Sequence, residues 1–217
     1  MCRYISGIVY KTGELMTSQY TDSHESLIKW LNLDDSAPIE SRTWIRVEFC
    51  PEDLRDYGDI DKYALKVDEE STPIWFGDGI REHIIEEMTA IVKSSIIKSN
   101  KKFLLGGKWI LTGDCKVDSI ENATIVCMLG ASKVGTMRGT SEVGTMRETS
   151  KVGTMRETSK VGTMRETSEV GEMWGTSKVG EMRGASKVGE MLDTSEVGEM
   201  WGTSKVIQDH RLKNAHD

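Results

Sequence analysis

The chain has 217 residues, of which 37% are hydrophobic and 29% charged, with a formal net charge of −7 at pH 7. This length allows one medium or two small domains. No stretch approaches the roughly 18 consecutive apolar residues of a membrane-spanning helix, and no charged-then-apolar segment opens the chain, so we expect a cytoplasmic protein without membrane contact.

The negative charge belongs to the first part of the chain. Residues 131–206 hold 11 Lys+Arg and 11 Asp+Glu, and residues 207–217 hold two of each. Subtraction from the totals of 28 and 35 leaves 15 basic against 22 acidic residues in 1–130. The neutral carboxy-terminal half therefore argues against nucleic acid as its partner.

Residues 1–108 predict a small α+β domain, because segments with strand and helix patterns are mixed there. Residues 4–10 and 15–17 flank a glycine turn and favour a hairpin, whereas residues 22–25 cap an amphipathic helix. Further strands are predicted at 43–49, 63–67 and 103–111, with a long helix at 80–98.

One candidate active site lies near the amino terminus. If Met1 is removed, Cys2 offers a thiolate together with its own amine as base, and Asp22 and His24 complete an amidohydrolase-like set. The simpler interpretation, which we favour, is that Cys2 opens an edge strand.

Two further polar groups have simple structural explanations. The segment 22–25 resembles a metal cluster in composition, but its spacing suits a helix cap better. Arg46, Glu48 and the acidic run 68–70 could line a polar cleft, although we favour the solvated faces of two strands.

The four cysteines predict no metal site, because they lie far apart and have no paired histidines. They are Cys2, Cys50, Cys115 and Cys127. We expect reduced thiols, without a disulfide framework, metal or cofactor.

The carboxy-terminal half is an array of nine-residue repeats with the pattern Thr-Ser-Lys-Val-Gly-Thr-Met-Arg-Glu, numbered here as positions 1 to 9. Eight full copies follow one another from Ala131 to Gly202, and residues 203–206 form a truncated ninth. A degenerate copy spans 122–130, with Ile125 and Met128 at the Val and Met positions, and Val117 and Ile120 suggest one more.

This period excludes a helix and a single long strand. Nine residues advance a helix by about 900°, which sends successive repeats to opposite faces. Nine is also odd, so a continuous strand would exchange its buried and exposed sides at each repeat. We therefore predict a β-solenoid over residues 109–206 with two repeats, about 18 residues, per coil and a bend near the glycine at position 5. Residues 207–217 are predicted to be a polar tail or cap.

The repeat resembles those of pentapeptide-repeat and related β-solenoid proteins. Ser132 with Val134, and Gly135 with Met137, match their rule of a small residue two before an inward apolar one, although the period here is nine. The whole layout also resembles an uncharacterised family from phages and gut bacteria, with a small amino-terminal domain before Ser-x-Val-x-x-Met repeats. The segments that carry this second resemblance are 21–25, 46–49, 67–69, 73–75 and 104–107.

The variable positions are where function is expected. Position 6 changes from Thr in the first four full repeats to Glu in the last four, and position 8 holds mainly arginine but becomes Trp174, Leu192 and Trp201 in the second half. With 18 residues per coil, Arg156 would lie beside Trp174 and Arg183 beside Trp201, suited to cation–π contacts. Repeat drift without function is the alternative to an interface.

We therefore expect a non-enzymatic scaffold, of phage origin by resemblance, that binds a host protein through Arg156, Trp174, Arg183, Leu192 and Trp201. The alternative is a small enzyme using Cys2, with the solenoid as spacer or oligomerisation element. A homo-oligomer formed through an open solenoid end is a third hypothesis.

Overall fold

The computed structural model describes residues 5–18, 20–21 and 23–211. It divides into two compact units, Met1–Ser95 and Ile96–Asp217. Cys2, Asp22 and residues 212–217, which include most of the predicted tail, lie outside the described residues.

The first unit is an antiparallel sheet with helices, as the sequence predicts. Its strands are β1 Ile5–Tyr10, β2 Leu15–Thr17, β3 Trp44–Cys50 and β4 Ala64–Val67, in the order β2-β1-β3-β4. Its α-helices are α1 His24–Leu31 and α2 Asp78–Ser95.

Both helices follow from their sequence signals. The Ser23 side chain caps α1 by accepting a hydrogen bond from the Ser26 amide at 3.2 Å, and Asn32 ends the helix in the left-handed conformation. The apolar side of α2 buries Ile84, Met88 and Val92 at four-residue spacing, as a helix with one face on a core requires.

The second unit is a β-solenoid of two parallel seven-stranded sheets, which confirms the predicted coil of about 18 residues. One sheet contains β6 Lys101–Leu105, β8 Lys116–Glu121, β10 Lys133–Arg138, β12 Lys151–Met155, β14 Glu169–Met173, β16 Lys187–Met191 and β18 Lys205–Asp209. The other contains β5 Ile96–Ile97, β7 Lys108–Leu111, β9 Thr124–Met128, β11 Glu142–Met146, β13 Lys160–Met164, β15 Lys178–Met182 and β17 Glu196–Met200.

Successive repeats alternate between the two sheets. Val134 pairs with Val152, and Met137 with Met155, so residues 18 apart lie in register. The degenerate copies fit the same register, because Val143 pairs with Ile125 and Val134 with Val117. The sheets also include β5 and β6, so solenoid pairing begins before residue 108, where the sequence analysis placed the domain boundary.

The strand bends at position 5, as the sequence predicts. Val152 and Met155 are both buried although they are three positions apart, an odd spacing that would put them on opposite faces of a straight strand, and the ladder skips the glycine between them. A Cβ on Gly153 would lie 2.5 Å from the carbonyl oxygen of Gly135 in the preceding coil. Only glycine permits this close stacking of backbones.

The solenoid core is a continuous column of valine and methionine with serine beside it. Val and Met at positions 4 and 7 are buried in every repeat from Val134 to Met191, and Ser at position 2 is fully buried from Ser132 to Ser195. Each coil covers the apolar residues of its neighbours, so the repeats stabilise one another along the stack.

Candidate functional site

Position 8 forms two columns of side chains on the solenoid, as the sequence predicts. The Trp174 amide donates to the Met155 carbonyl at 2.9 Å and the Leu192 amide donates to the Met173 carbonyl at 2.9 Å, which places Arg156, Trp174 and Leu192 on successive coils. The Trp201 amide donates in the same way to Met182 at 2.8 Å, so Trp201 follows Arg183. Neighbouring coils lie about 4.8 Å apart.

The five position-8 residues proposed for binding differ in exposure. Arg156 and Arg183 are exposed, and Trp201 keeps 57% of its surface accessible. Trp174 and Leu192 are half-buried. The array therefore presents one well-exposed indole, Trp201, in one column and two half-buried apolar side chains, Trp174 and Leu192, in the other.

Each tryptophan is held by the glutamate two residues before it. Trp174 Nε1 donates to Glu172 Oε2 at 2.9 Å, and Trp201 Nε1 donates to Glu199 Oε2 at 3.2 Å. Both tryptophans directly follow the last residue of a strand that contains the bonded glutamate, so the Thr-to-Glu change at position 6 supplies the acceptor. The change at position 6 is visible in the sequence, whereas this contact is not.

The predicted cation–π contacts in these columns do not form. Among the described residues, arginine lies over a ring at Arg42 with Trp44 and at Arg81 with Phe76. Arg183 instead donates from Nε to Glu181 Oε2 at 2.8 Å. Glutamate at position 6 thus engages the arginine as it does the indoles.

Position 3 carries both lysine and glutamate down each column, and two pairs of oppositely charged neighbours form ion pairs across coils. Lys151 Nζ lies 2.6 Å from Glu169 Oε2, and Lys178 Nζ lies 2.7 Å from Glu196 Oε2. These exposed pairs relieve the repulsion that a column of like charges would create.

A second polar site lies in the first unit, where His24, Glu48 and Asp68 come together. Their ligand atoms all lie within 4.8 Å of one another. His24 Nε2 lies 3.0 Å from the Val47 carbonyl oxygen, and Nδ1 lies 2.9 Å from Asp68 Oδ2. The sequence analysis treated His24 as part of a helix cap and the two acids as solvated, so it missed this grouping of three separate elements.

Glu69, the residue after Asp68, is a buried structural anchor. Its side chain is 4% exposed and receives hydrogen bonds from Arg46 Nε at 3.0 Å, from Arg46 Nη2 at 2.7 Å and from the Arg46 amide at 3.0 Å. Burial alone would raise the pKa of Glu69, but these bonds and the Arg42 charge outweigh it, so its pKa lies below the usual range.

All three described cysteines are buried thiols. Cys50, Cys115 and Cys127 are buried and form no disulfide. Burial raises the pKa of the Cys127 thiol to about 12, which keeps it protonated. Of the three residues in the hypothetical Cys2 site, only His24 is described, and its ring already contacts Val47 and Asp68.

A surface groove of about 440 Å³ lies beside α1 in the first unit. Its two aromatic side chains, Tyr20 and Trp30, are 89% and 65% exposed. Its lining consists of Thr17, Ser18, Tyr20, Thr21, Ser26, Leu27 and Trp30. It is a separate candidate surface from the tryptophans of the array.

Within the described part of the chain, no helix is long and apolar enough to cross a membrane. Comparison with protein-family models, with curated proteins and with solved structures found no match.

Proposed function

We propose that this protein is a non-enzymatic scaffold that binds a protein partner through its solenoid, using Trp174 and Leu192 of one position-8 column and Trp201 of the other. The observation that supports this most is the hydrogen bonding of both indoles to glutamates of their own strands. An indole that is already oriented loses less conformational entropy when a partner covers it, and exposed tryptophans are frequent anchors of protein interfaces.

The neighbouring charges favour a partner with mixed polar chemistry. Arg156 and Arg183 are exposed, each in a column that also holds a tryptophan, while glutamates at position 6 supply carboxylates next to position 8. Such a rim of both signs around aromatic anchors is typical of specific protein interfaces. The resemblance to phage proteins makes a host protein the partner we propose.

The double variant Trp174→Ser/Trp201→Ser tests this function. Immobilised full-length protein should capture a partner from bacterial lysate, and the double variant should lose at least about tenfold in affinity, because two anchors are removed. Arg138→Ser is the matched control, since it changes the same position at the other end of the array and should bind normally.

Folding must be verified in the same samples. Trp174 and Trp201 are not part of the hydrophobic core of the solenoid, so circular dichroism and the unfolding midpoint should stay close to those of the parent protein. Full binding by a folded double variant would rule out the proposed surface.

A further inference from the structure

We propose that His24, Glu48 and Asp68 form a binding site for a divalent transition-metal ion, with Zn²⁺ as the best match. The site lies in the first unit and is independent of the solenoid surface. His24 is the first residue of α1, Glu48 lies in β3, and Asp68 follows β4 directly. Three elements distant in sequence thus supply one ligand atom each.

The sheet register explains why the two carboxylates meet. Val47 pairs with Val67, and the Asp68 amide donates to the Arg46 carbonyl at 3.0 Å. Asp68 therefore lies opposite Arg46, and the two-residue alternation of β3 places Arg46 and Glu48 on the same face. The helix then brings His24 against this face, with its side chain 10% exposed.

The hydrogen bonding of the histidine leaves one nitrogen for a cation. A carbonyl oxygen can only accept, so the 3.0 Å contact with Val47 requires a hydrogen on Nε2. Nδ1 then turns its lone pair toward Asp68 Oδ2 at 2.9 Å, where two acceptors repel unless a proton or a metal ion lies between them. Donation from the second ring nitrogen to a backbone carbonyl is also the usual outer-shell contact of a metal-bound histidine.

The ligand chemistry selects the metal class. One imidazole nitrogen with two carboxylate oxygens suits Zn²⁺, which binds such ligands at about 2.0–2.2 Å in sites with few protein ligands. Two ligands of one such ion lie roughly 3–4 Å apart, so the present spacing within 4.8 Å closes with small side-chain movements. Asp68 is 56% exposed, which leaves a side of the site open for water to complete the coordination.

The test is calorimetric titration of the untagged, chelator-treated full chain with Zn²⁺ at neutral pH. We expect one saturable site with a dissociation constant in the micromolar range or tighter. Asp68→Ala and Glu48→Gln should each weaken binding at least about tenfold, because each loses a ligand. His24→Asn should abolish the site.

The matched control is His83→Gln/Glu87→Gln, which removes an exposed histidine–carboxylate pair with 3.5 Å between its atoms on α2. It should bind Zn²⁺ like the parent protein. Circular dichroism of each variant, together with the d–d absorption of bound Co²⁺, distinguishes ligand loss from unfolding.

The proposal is overturned if the parent shows no saturable binding, or if folded Asp68→Ala and Glu48→Gln bind normally. If the parent binds metal tightly and the Trp174→Ser/Trp201→Ser variant still binds the protein partner normally, the metal site is supported and only the solenoid proposal is contradicted.

Discussion

The serine at position 2 illustrates how much a single hydroxyl can matter inside the solenoid. In six repeats its buried oxygen has no hydrogen-bond partner, namely in Ser132, Ser150, Ser159, Ser168, Ser177 and Ser186. Ser141 differs, because its hydroxyl donates to the Arg138 carbonyl at 2.6 Å. A small side chain is needed at this position, whereas a hydroxyl without a partner costs free energy.

We therefore expect Ser159→Ala to leave the free energy of unfolding unchanged or to raise it by up to about 1 kcal/mol. Ser141→Ala, the matched control, should lower it by about 1 kcal/mol, because a hydrogen bond is lost. Urea denaturation followed by circular dichroism measures both. Equal destabilisation by the two changes would contradict this explanation.

Position 9 shows what residue-level prediction missed. It adopts positive φ throughout the array, as in Glu148 at 56° and Glu157 at 58°, although glutamate rarely does so. The Glu157 carboxylate accepts a hydrogen bond from the Gly139 amide one coil earlier at 2.6 Å, which offsets the cost of this backbone conformation. Glycine at the same position in other repeats, including Gly139 and Gly175, was the available signal.

At the scale of elements, Glu69 connects the end of β4 to β3 and to the preceding loop. Arg46 lies within β3, and Arg42, which also donates to the Ala37 carbonyl at 2.7 Å, contacts the same carboxylate at 3.4 Å. The anchor therefore fixes the strand edge next to Asp68.

Replacing Glu69 by Gln should lower the free energy of unfolding of the first unit by about 3 kcal/mol, because two arginines lose their buried partner. Its folded pKa is depressed, so its stabilisation is present above the unfolded pKa of about 4.3 and is lost as pH falls through the lower folded value. The difference in free energy of unfolding between the parent and the Glu69→Gln variant should therefore become smaller at acid pH. Chemical denaturation at several pH values provides the measurement.

Asp53→Asn is the control for this prediction. Asp53 pairs with Arg55 at 2.5 Å, but both side chains are largely exposed, at 40% and 68%, so little change in stability is expected. If both variants lost the same free energy of unfolding, burial would not be the reason that the Glu69 ion pairs stabilise the protein.

Elements with a clear period or cap were predictable, and those defined by distant partners were not. The Val and Met spacing was sufficient for the coil, and Ser23 was sufficient for the start of α1. The short strand β5 was not predicted, because its two residues, Ile96 and Ile97, follow α2 directly and are too few to show a repeat pattern. The grouping of His24 with two acids depends on sheet register, which single-segment patterns do not determine.

At the scale of the whole molecule, stability should depend on the number of stacked coils. Deleting residues 149–166 removes one complete coil, and deleting 149–157 removes one repeat, yet both keep Val and Met in register because every repeat is nine residues long. Both variants should fold, with a lower unfolding midpoint and a smaller denaturant m-value than the parent.

Deleting residues 149–153 provides the contrast, since five residues do not match the repeat and later Val and Met side chains would leave the core. This variant should lose cooperative unfolding of the solenoid. A cooperative transition equal to that of the nine-residue deletion would contradict the stacking explanation.

The distal end of the array bears on self-association. Strands β17 and β18 each pair on one side only among the described residues, and Met200 and Ile207 are 42% and 56% exposed there. Residues 207–209 continue β18. Self-association through this end stays a prediction, and sedimentation over a range of concentrations would measure it.

The alternation of repeats between two sheets gives tandem duplication an unusual effect. One added repeat moves every later repeat to the opposite sheet, whereas two restore the original side, and neither disturbs the Val and Met column. Slippage in the coding DNA could thus shift the tryptophans by half a coil relative to earlier repeats in a single event. The array can therefore redirect its distal surface during evolution while its core sequence stays unchanged.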